Sequence, residues 1–145
     1  MPTLCGMADL EQLRDVFPGL TAGALAERMG IEIREASADR VVATMPVSGN
    51  TQPYGLLHGG ASVVLAETVG SIASALHAGP GRIAVGIEVS AAHHPSVTAG
   101  SVTAVATPMH RGGTLATYEI VISDDSQRRV CTARLTCLLR DAPGA

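Results

Sequence analysis

From Gly59 to Leu76 the chain runs through small and apolar side chains without a proline, and Glu67 is the only ionisable group in the stretch. Such a run predicts a long helix buried on most of its sides. The glutamate is the constraint: an ionised carboxylate inside a core costs several kcal/mol unless it is paired, hydrogen-bonded or protonated. The run is long enough to tempt a bilayer-spanning assignment, but Glu67 and the Ser, Thr and Gly content point to a core helix, with no membrane partner.

The segments around this helix have a different period. Ile31 and Ile33 alternate with Glu32 and Arg34, and after a turn at Ser37-Ala38-Asp39 a second strand runs from Val41 through Met45 to Pro46. After the helix, Ala78-Gly79-Pro80-Gly81 forms a loop, and strands are expected over Ile83–Ala92, Ser101–Met109, Thr114–Ser123 and Arg129–Arg140. The loops His110-Arg111-Gly112-Gly113 and Asp124-Asp125-Ser126-Gln127 carry hairpin chemistry. The order is a hairpin, one long helix and a meander of four strands, an α+β domain in which about six antiparallel strands wrap a single helix. Ala66, Gly70 and Ser74, spaced by four, would let the helix backbone lie close to that sheet. Ile83–Ala92 is a candidate edge strand able to pair with its twin in a dimer.

Two short helices are expected ahead of the sheet, over Ala8–Phe17 and, capped by Thr21, over Ala22–Met29. Residues 1–29 thus form a helical segment, 30–140 the main domain, and 141–145 a frayed tail. At 145 residues the chain is sufficient for one domain with a real core. A net charge of -3 and the absence of a basic cluster leave no footprint for nucleic acid. Three cysteines without C-x-x-C spacing, and no basic head leading an apolar segment, fit a reducing, cytoplasmic setting.

The chemistry gathers where the polar loop meets the helix. Gly59-Gly60 at a helix start offers unpaired N–H groups and the positive end of the macrodipole, suited to an anion or a developing oxyanion; two glycines also simply permit a tight turn into a helix. His58 and Gln52 add donors for a carbonyl, and Glu67 adds a carboxylate to attack it or to activate water. Ser71, one turn after Glu67, could hold that water or merely pack. Gly59 and Glu67 are eight residues apart, about 12 Å along a helix, too far to converge on one carbonyl. Two antiparallel helices across a two-fold axis would solve this by pairing Gly59 of one subunit with Glu67 of the other. His93 and His94, adjacent on a strand, point to opposite faces, and no metal site is expected. No G-x-S-x-G elbow is present. Arg111 with Gly112 and Gly113 suits a phosphate or a solvated turn equally. Cys131 and Cys137 read as core thiols.

The stretch Gln52-Pro53-Tyr54-Gly55-Leu56-Leu57-His58-Gly59-Gly60, followed by Glu67 and Ser71, resembles the hotdog-fold acyl-CoA thioesterases of the PaaI type. The likeness extends over about Gly30 to Leu139. Within that family it is similar to the group of the 1,4-dihydroxy-2-naphthoyl-CoA, enterobactin-proofreading and glutamate-type 4-hydroxybenzoyl-CoA thioesterases. The resemblance implies Glu67 as nucleophile or general base, a Gly59 N–H on the thioester carbonyl, Gln52 and His58 as its polarising partners, and Ser71 as an aid to water. It also implies Ile72 and His93 along the acyl pocket and a tetramer built from hotdog dimers. No cofactor beyond the substrate's own coenzyme A is implied, and a carrier-protein thioester is a related substrate. His94-Pro95-Ser96 stands where relatives often place a basic residue, which leaves Arg111 and Arg82 as the substitutes for phosphate contact. Other readings on the same fold are an enoyl-thioester hydratase and a non-catalytic acyl-CoA sensor, the latter with no need for Glu67.

Overall fold

The computed structural model describes residues 22–144. The helix expected over Ala8–Phe17, the Thr21 cap and Cys5 lie outside them. Helix α1 spans Ala24–Met29 and is capped by Gly23, whose φ of 98° carries no side-chain bond. It therefore starts two residues later than the Thr21 reading requires. It ends on Gly30 in the left-handed region, whose N–H reaches back to Ala26 and Glu27 carbonyls. A Cβ at Gly30 would sit 2.8 Å from the Pro46 ring, so both the turn and the close approach need glycine.

Strands β1 (Glu32–Ala36) and β2 (Val41–Pro46) form the first hairpin. A bulge between Ile33 and Glu35 shifts the alternation of β1, so that Ala36 rather than Glu35 is buried. Helix α2 covers Gly59–Ala78. Strands β3 (Arg82–His93), β4 (Ser101–Arg111), β5 (Leu115–Asp124) and β6 (Arg129–Asp141) follow. Each begins and ends within two residues of the strand expected from its alternation. The β5–β6 turn is held by Asp124, whose Oδ1 accepts from the Ser126 and Arg128 N–H groups. These bonds, with the Arg128 guanidinium, lower the Asp124 pKa. The expected tail begins inside β6, and Ala142 N–H donates to the Gly81 carbonyl at 2.9 Å, so this part of it is tied down.

The six strands are antiparallel neighbours in the order β1-β2-β4-β5-β6-β3. This corrects the meander of four strands. Only β4, β5 and β6 form a meander; β3 crosses to the far edge and pairs with β6. The reason lies in burial: β4 alternates Val102, Ala104 and Ala106 into the core and fits beside β2, whereas β3 leaves most of its length exposed. The edge position expected for Ile83–Ala92 is thus observed.

Helix α2 lies along one face of the sheet against β2 through β6. It is long and apolar enough to cross a membrane, yet Leu65, Ala66, Val69, Ala73 and Ser74 are fully covered by the chain itself. Small residues set the distance between the layers: a Cβ on Gly70 would come within 2.6 Å of Leu135 Cδ2 on β6. Tyr118, the largest fully buried side chain, bolts the layers together. Its hydroxyl donates to the Ala38 carbonyl of the first hairpin (2.6 Å) and reaches the Ala73 carbonyl of α2 (3.3 Å). Burial pushes this phenol up to about 12. Cys131 and Cys137 are buried on the helix-facing side of β6, as their spacing predicts. One helix wrapped by a six-stranded antiparallel sheet is the hotdog fold that the resemblance implies.

Candidate active site

The chain between β2 and α2 is tied down by groups that secondary structure does not use. Asn50 is almost fully buried, and its amide donates at 2.8 Å to both the Met29 and Pro46 carbonyls. Its own carbonyl accepts the His58 N–H, while Leu57 N–H donates to Val97. Periodicity gives no sign of Asn50, because an isolated loop asparagine reads as a turn residue. Between these ties Gln52 N–H donates to Leu56, Gly55 takes a φ of 79°, and the Gln52 side-chain oxygen accepts the Tyr54 N–H.

His58 is the N-cap of α2, and its Nδ1 accepts the Gly60 N–H at 2.8 Å. In the neutral ring that bond places the proton on Nε2, leaving a donor aimed outward. Ala61 and Ser62 N–H groups are taken by the His58 carbonyl. The Gly59 N–H is left as the unpartnered amide of this turn among the described residues, at the positive end of a twenty-residue helix. His93, the last residue of β3, lies over Gly59: a Cβ there would be 2.9 Å from His93 Nε2. Glycine is required here for the approach of the imidazole rather than for backbone conformation.

Gly59 and His93 line a cleft of about 230 Å³ whose walls also include Gln52, Leu57, Ser62 and Val97. His94 also reaches its rim, its Nε2 2.9 Å from Thr132 Oγ1 on the outer side of β6. Leu57, Ser62, Val97 and Val130 are lining residues that the sequence pattern does not single out. They come from three separate segments, and an aliphatic wall has no signature in any one of them.

Glu67 is not among the cleft residues. Two turns along α2 it is half-buried rather than enclosed, and its carboxylate lies against β3, with Oε1 2.8 Å from where a Gly86 Cβ would be. It makes no salt bridge among the described residues. Ser71 follows on the same helix face, half-buried and close to the Cys137 thiol. The structure therefore brings Gln52, Gly59 and His93 together at the cleft, sets Glu67 and Ser71 apart from them, and leaves His58 next to Gly59 in the chain but outside the cleft walls, its ring on the Gly60 N–H.

The remaining predicted residues lie elsewhere in the chain. Ile72 is buried in the core and does not line the cleft. Arg111 pairs with Asp39 at 2.5 Å. Arg82 donates to the Gly113 and Leu139 carbonyls and pairs with Asp141 at 3.6 Å. The Gly112 carbonyl meets His77 Nε2 at 2.8 Å in the last turn of α2. Arg82, Arg111 and Gly112 thus gather at the C-terminal end of the helix, away from the cleft at its N-terminal end. Among the described residues no cluster of three or more His, Cys, Asp or Glu side chains could hold a metal.

Residues 54–131 match the thioesterase superfamily. The proofreading thioesterase EntH of Cronobacter turicensis is 49% identical over 117 residues, which cover 80% of this chain and 85% of that protein. Thioesterase HI1161 of Haemophilus influenzae has a TM-score of 0.81 and 38% identity, covering 91% of this chain and 90% of its own. The Escherichia coli PaaI protein, from the phenylacetic acid degradation operon, has a TM-score of 0.70 and 26% identity over 81% of this chain and 88% of its own.

Proposed function

The chain belongs to the thioesterase superfamily and is a thioester hydrolase, and from that premise we propose that it cleaves acyl-CoA thioesters with an aromatic or hydroxyaromatic acyl group at sites shared between two subunits. The observation that carries the shared site is the separation of the Gly59–His93 cleft from Glu67 within one chain. Eight residues of helix separate the two ends, about 12 Å, whereas the reacting groups must meet within about 3 Å. Strand β3 supports the pairing, since it is an edge strand with Val85 and Ile87 exposed beside the Glu67 contact. A second copy added along this edge would cover both. The aromatic assignment leans on the operon context of the E. coli PaaI protein.

In this reading the thioester carbonyl oxygen enters the cleft and accepts from the Gly59 N–H, with His58 Nε2–H beside it. Glu67 of the partner subunit then works in one of two ways. As general base it takes a proton from water, hydroxide adds to the carbonyl carbon, the C–S bond breaks, and the departing sulfur takes up the proton. As nucleophile it adds to that carbon itself and expels the thiolate, leaving an anhydride that water hydrolyses to the acid and the free carboxylate. Oxygen-18 incorporation into Glu67 in a single turnover distinguishes the two.

The test is release of free thiol from benzoyl-CoA, aliphatic acyl-CoAs and acyl carrier protein thioesters. Benzoyl-CoA is expected to be preferred, and Glu67→Gln should lose about 100-fold or more in kcat with the fold retained. A mixture of Glu67→Ala and His58→Ala chains should recover activity, because one of the two sites in a mixed dimer is then intact. Mixed dimers as inactive as their parents would refute the shared site.

A further inference from the structure

Coenzyme A carries a pyrophosphate and a 3′-phosphate, and a chain with a net charge of -3 needs a local excess of positive groups to hold them. Arg111 and Arg82, the expected partners, are engaged with Asp39 and Asp141 at the far end of α2. Arg28, Arg129 and Arg140 are the described arginines without a carboxylate partner. Arg28 lies on α1, and Arg140 stands opposite Ile83, at the end of the β3–β6 ladder remote from His93. Arg129 is at the cleft end, directly before the wall residue Val130. There the rim is fastened to β6 on both sides. His94 N–H donates to the Val130 carbonyl at 2.8 Å, and Arg128 Nη2 donates to the Ser96 carbonyl at 3.3 Å.

We propose that His94, Arg129 and Thr132 form the subsite that holds a phosphate of coenzyme A where its arm leaves the cleft. The Thr132 hydroxyl gathers the other two: its Oγ1 lies 2.9 Å from His94 Nε2 and accepts from Arg129 Nη1 at 3.4 Å. Both rings of donors are exposed, and His94 itself lines the cleft, so the hydroxyl joins the cleft wall to the guanidinium. A guanidinium has five N–H donors and no acceptor, and one hydroxyl leaves most of them for another acceptor. A phosphate supplies it, because its oxygens match the planar fork bidentately. No carboxylate competes for the place among the described residues. Asp124 is held by Arg128, Asp125 accepts the Ser101 N–H, and Glu88 pairs with Arg134.

The inference rests on an acyl-CoA being the substrate, and the experiment separates the two. Coenzyme A binding is measured by calorimetry, and thiol release is measured from benzoyl-CoA and from the phosphate-free S-benzoyl-N-acetylcysteamine. The proteins are the wild type, His94→Gln, Arg129→Gln and Arg34→Gln, each with a thermal melt. Arg34, in an exposed ion pair with Glu32 on the opposite edge strand of the sheet, is the charge control. Arg129→Gln is expected to weaken coenzyme A binding about tenfold and to raise KM for benzoyl-CoA by about the same factor relative to KM for the phosphate-free thioester. His94→Gln should act in the same direction, and Arg34→Gln should bind within about twofold of wild type. Unchanged coenzyme A binding in both His94→Gln and Arg129→Gln, an equal rise in KM for the two thioesters, or an equal loss in Arg34→Gln overturns the inference. An effect that persists with 3′-dephospho-CoA supports it with the pyrophosphate as the group held, and one that disappears supports it with the 3′-phosphate. A wild type that binds coenzyme A through these residues and releases no thiol overturns the function reading instead.

Discussion

Replacing Gly86 by alanine should impair chemistry without impairing the fold. The Gly86 backbone is not in the left-handed region, so alanine fits its conformation. The new Cβ would stand 2.8 Å from Glu67 Oε1 and 3.4 Å from Leu135 Cδ1. The second contact is ordinary packing. The first must open by about 0.6 Å to reach the 3.4 Å at which ordinary contact begins. The clashing atom ends a flexible, half-buried side chain, so the carboxylate moves and the strand does not. Folding free energy should therefore change by less than ~1 kcal/mol, with the lost backbone entropy of glycine acting in favour of alanine. Catalysis is less forgiving, since a misplacement of about 1 Å can cost roughly 100-fold. A shift of about 0.6 Å then corresponds to about tenfold in kcat, or ~1.4 kcal/mol of barrier. Thiol-release kinetics and a thermal melt on the same preparation read both quantities. A Gly86→Ala enzyme with full kcat would refute the placement of the reacting carboxylate over β3. The same kcat loss accompanied by a large fall in melting temperature would refute the division between site and fold.

Gly70→Ala should behave in the opposite way. Its Cβ would lie 2.6 Å from Leu135 Cδ2 and 3.2 Å from Leu135 Cβ in the closed core, an overpacking that costs about 1–3 kcal/mol and lowers the melting temperature by about 2–12 °C. Gly59→Ala places a methyl 2.9 Å from Nε2 of the exposed His93 ring, so the ring should swing aside, with kcat/KM falling and the melt unchanged. Tyr118→Phe removes the hydroxyl bonds to Ala38 and Ala73 and should cost about 1–2 kcal/mol at neutral pH. The same variant tests alkaline stability. With the folded phenol at about 12 against an ordinary 10.0, the native state holds the proton more tightly. Its contribution is complete below pH 10 and is lost as the pH rises toward 12, by about 2–3 kcal/mol. Denaturant titrations over that range should show a shallower loss in Tyr118→Phe, a clean comparison because the chain has ten arginines and no lysine.

Much of this is legible in the residues because each signal is local. The period of two in Val41-Val42-Ala43-Thr44-Met45 requires only its own strand to be read, and the observed burial alternates as it demands. His58 before two glycines declares a helix start, and the cap bond to Gly60 is a contact between near neighbours. The stripe at Ala66, Gly70 and Ser74 announces close packing, and Leu135 proves to be the contact at Gly70. Asn50 is different: its amide bridges Met29 and Pro46, and the first of these partners is 21 residues away. The partner of Arg111 is as remote, since its guanidinium meets Asp39 from 72 residues away.

The sequence by itself determined the six strands, the single long helix and the carboxylate within it, because periodicity, glycine chemistry and the cost of a buried charge act over a few residues. It did not determine that β3 leaves the meander for the far edge, since strands with similar alternation can pair with any neighbour until burial and crossover geometry choose among them. That choice puts Gly86 beneath Glu67 and Cys137 beside Gly86, and it leaves Val85 and Ile87 exposed on the edge. Eight residues of helix already set Glu67 apart from Gly59; only the tertiary structure decides what each meets, because the sheet lays different parts of β3 against them, His93 over Gly59 and Gly86 beneath Glu67.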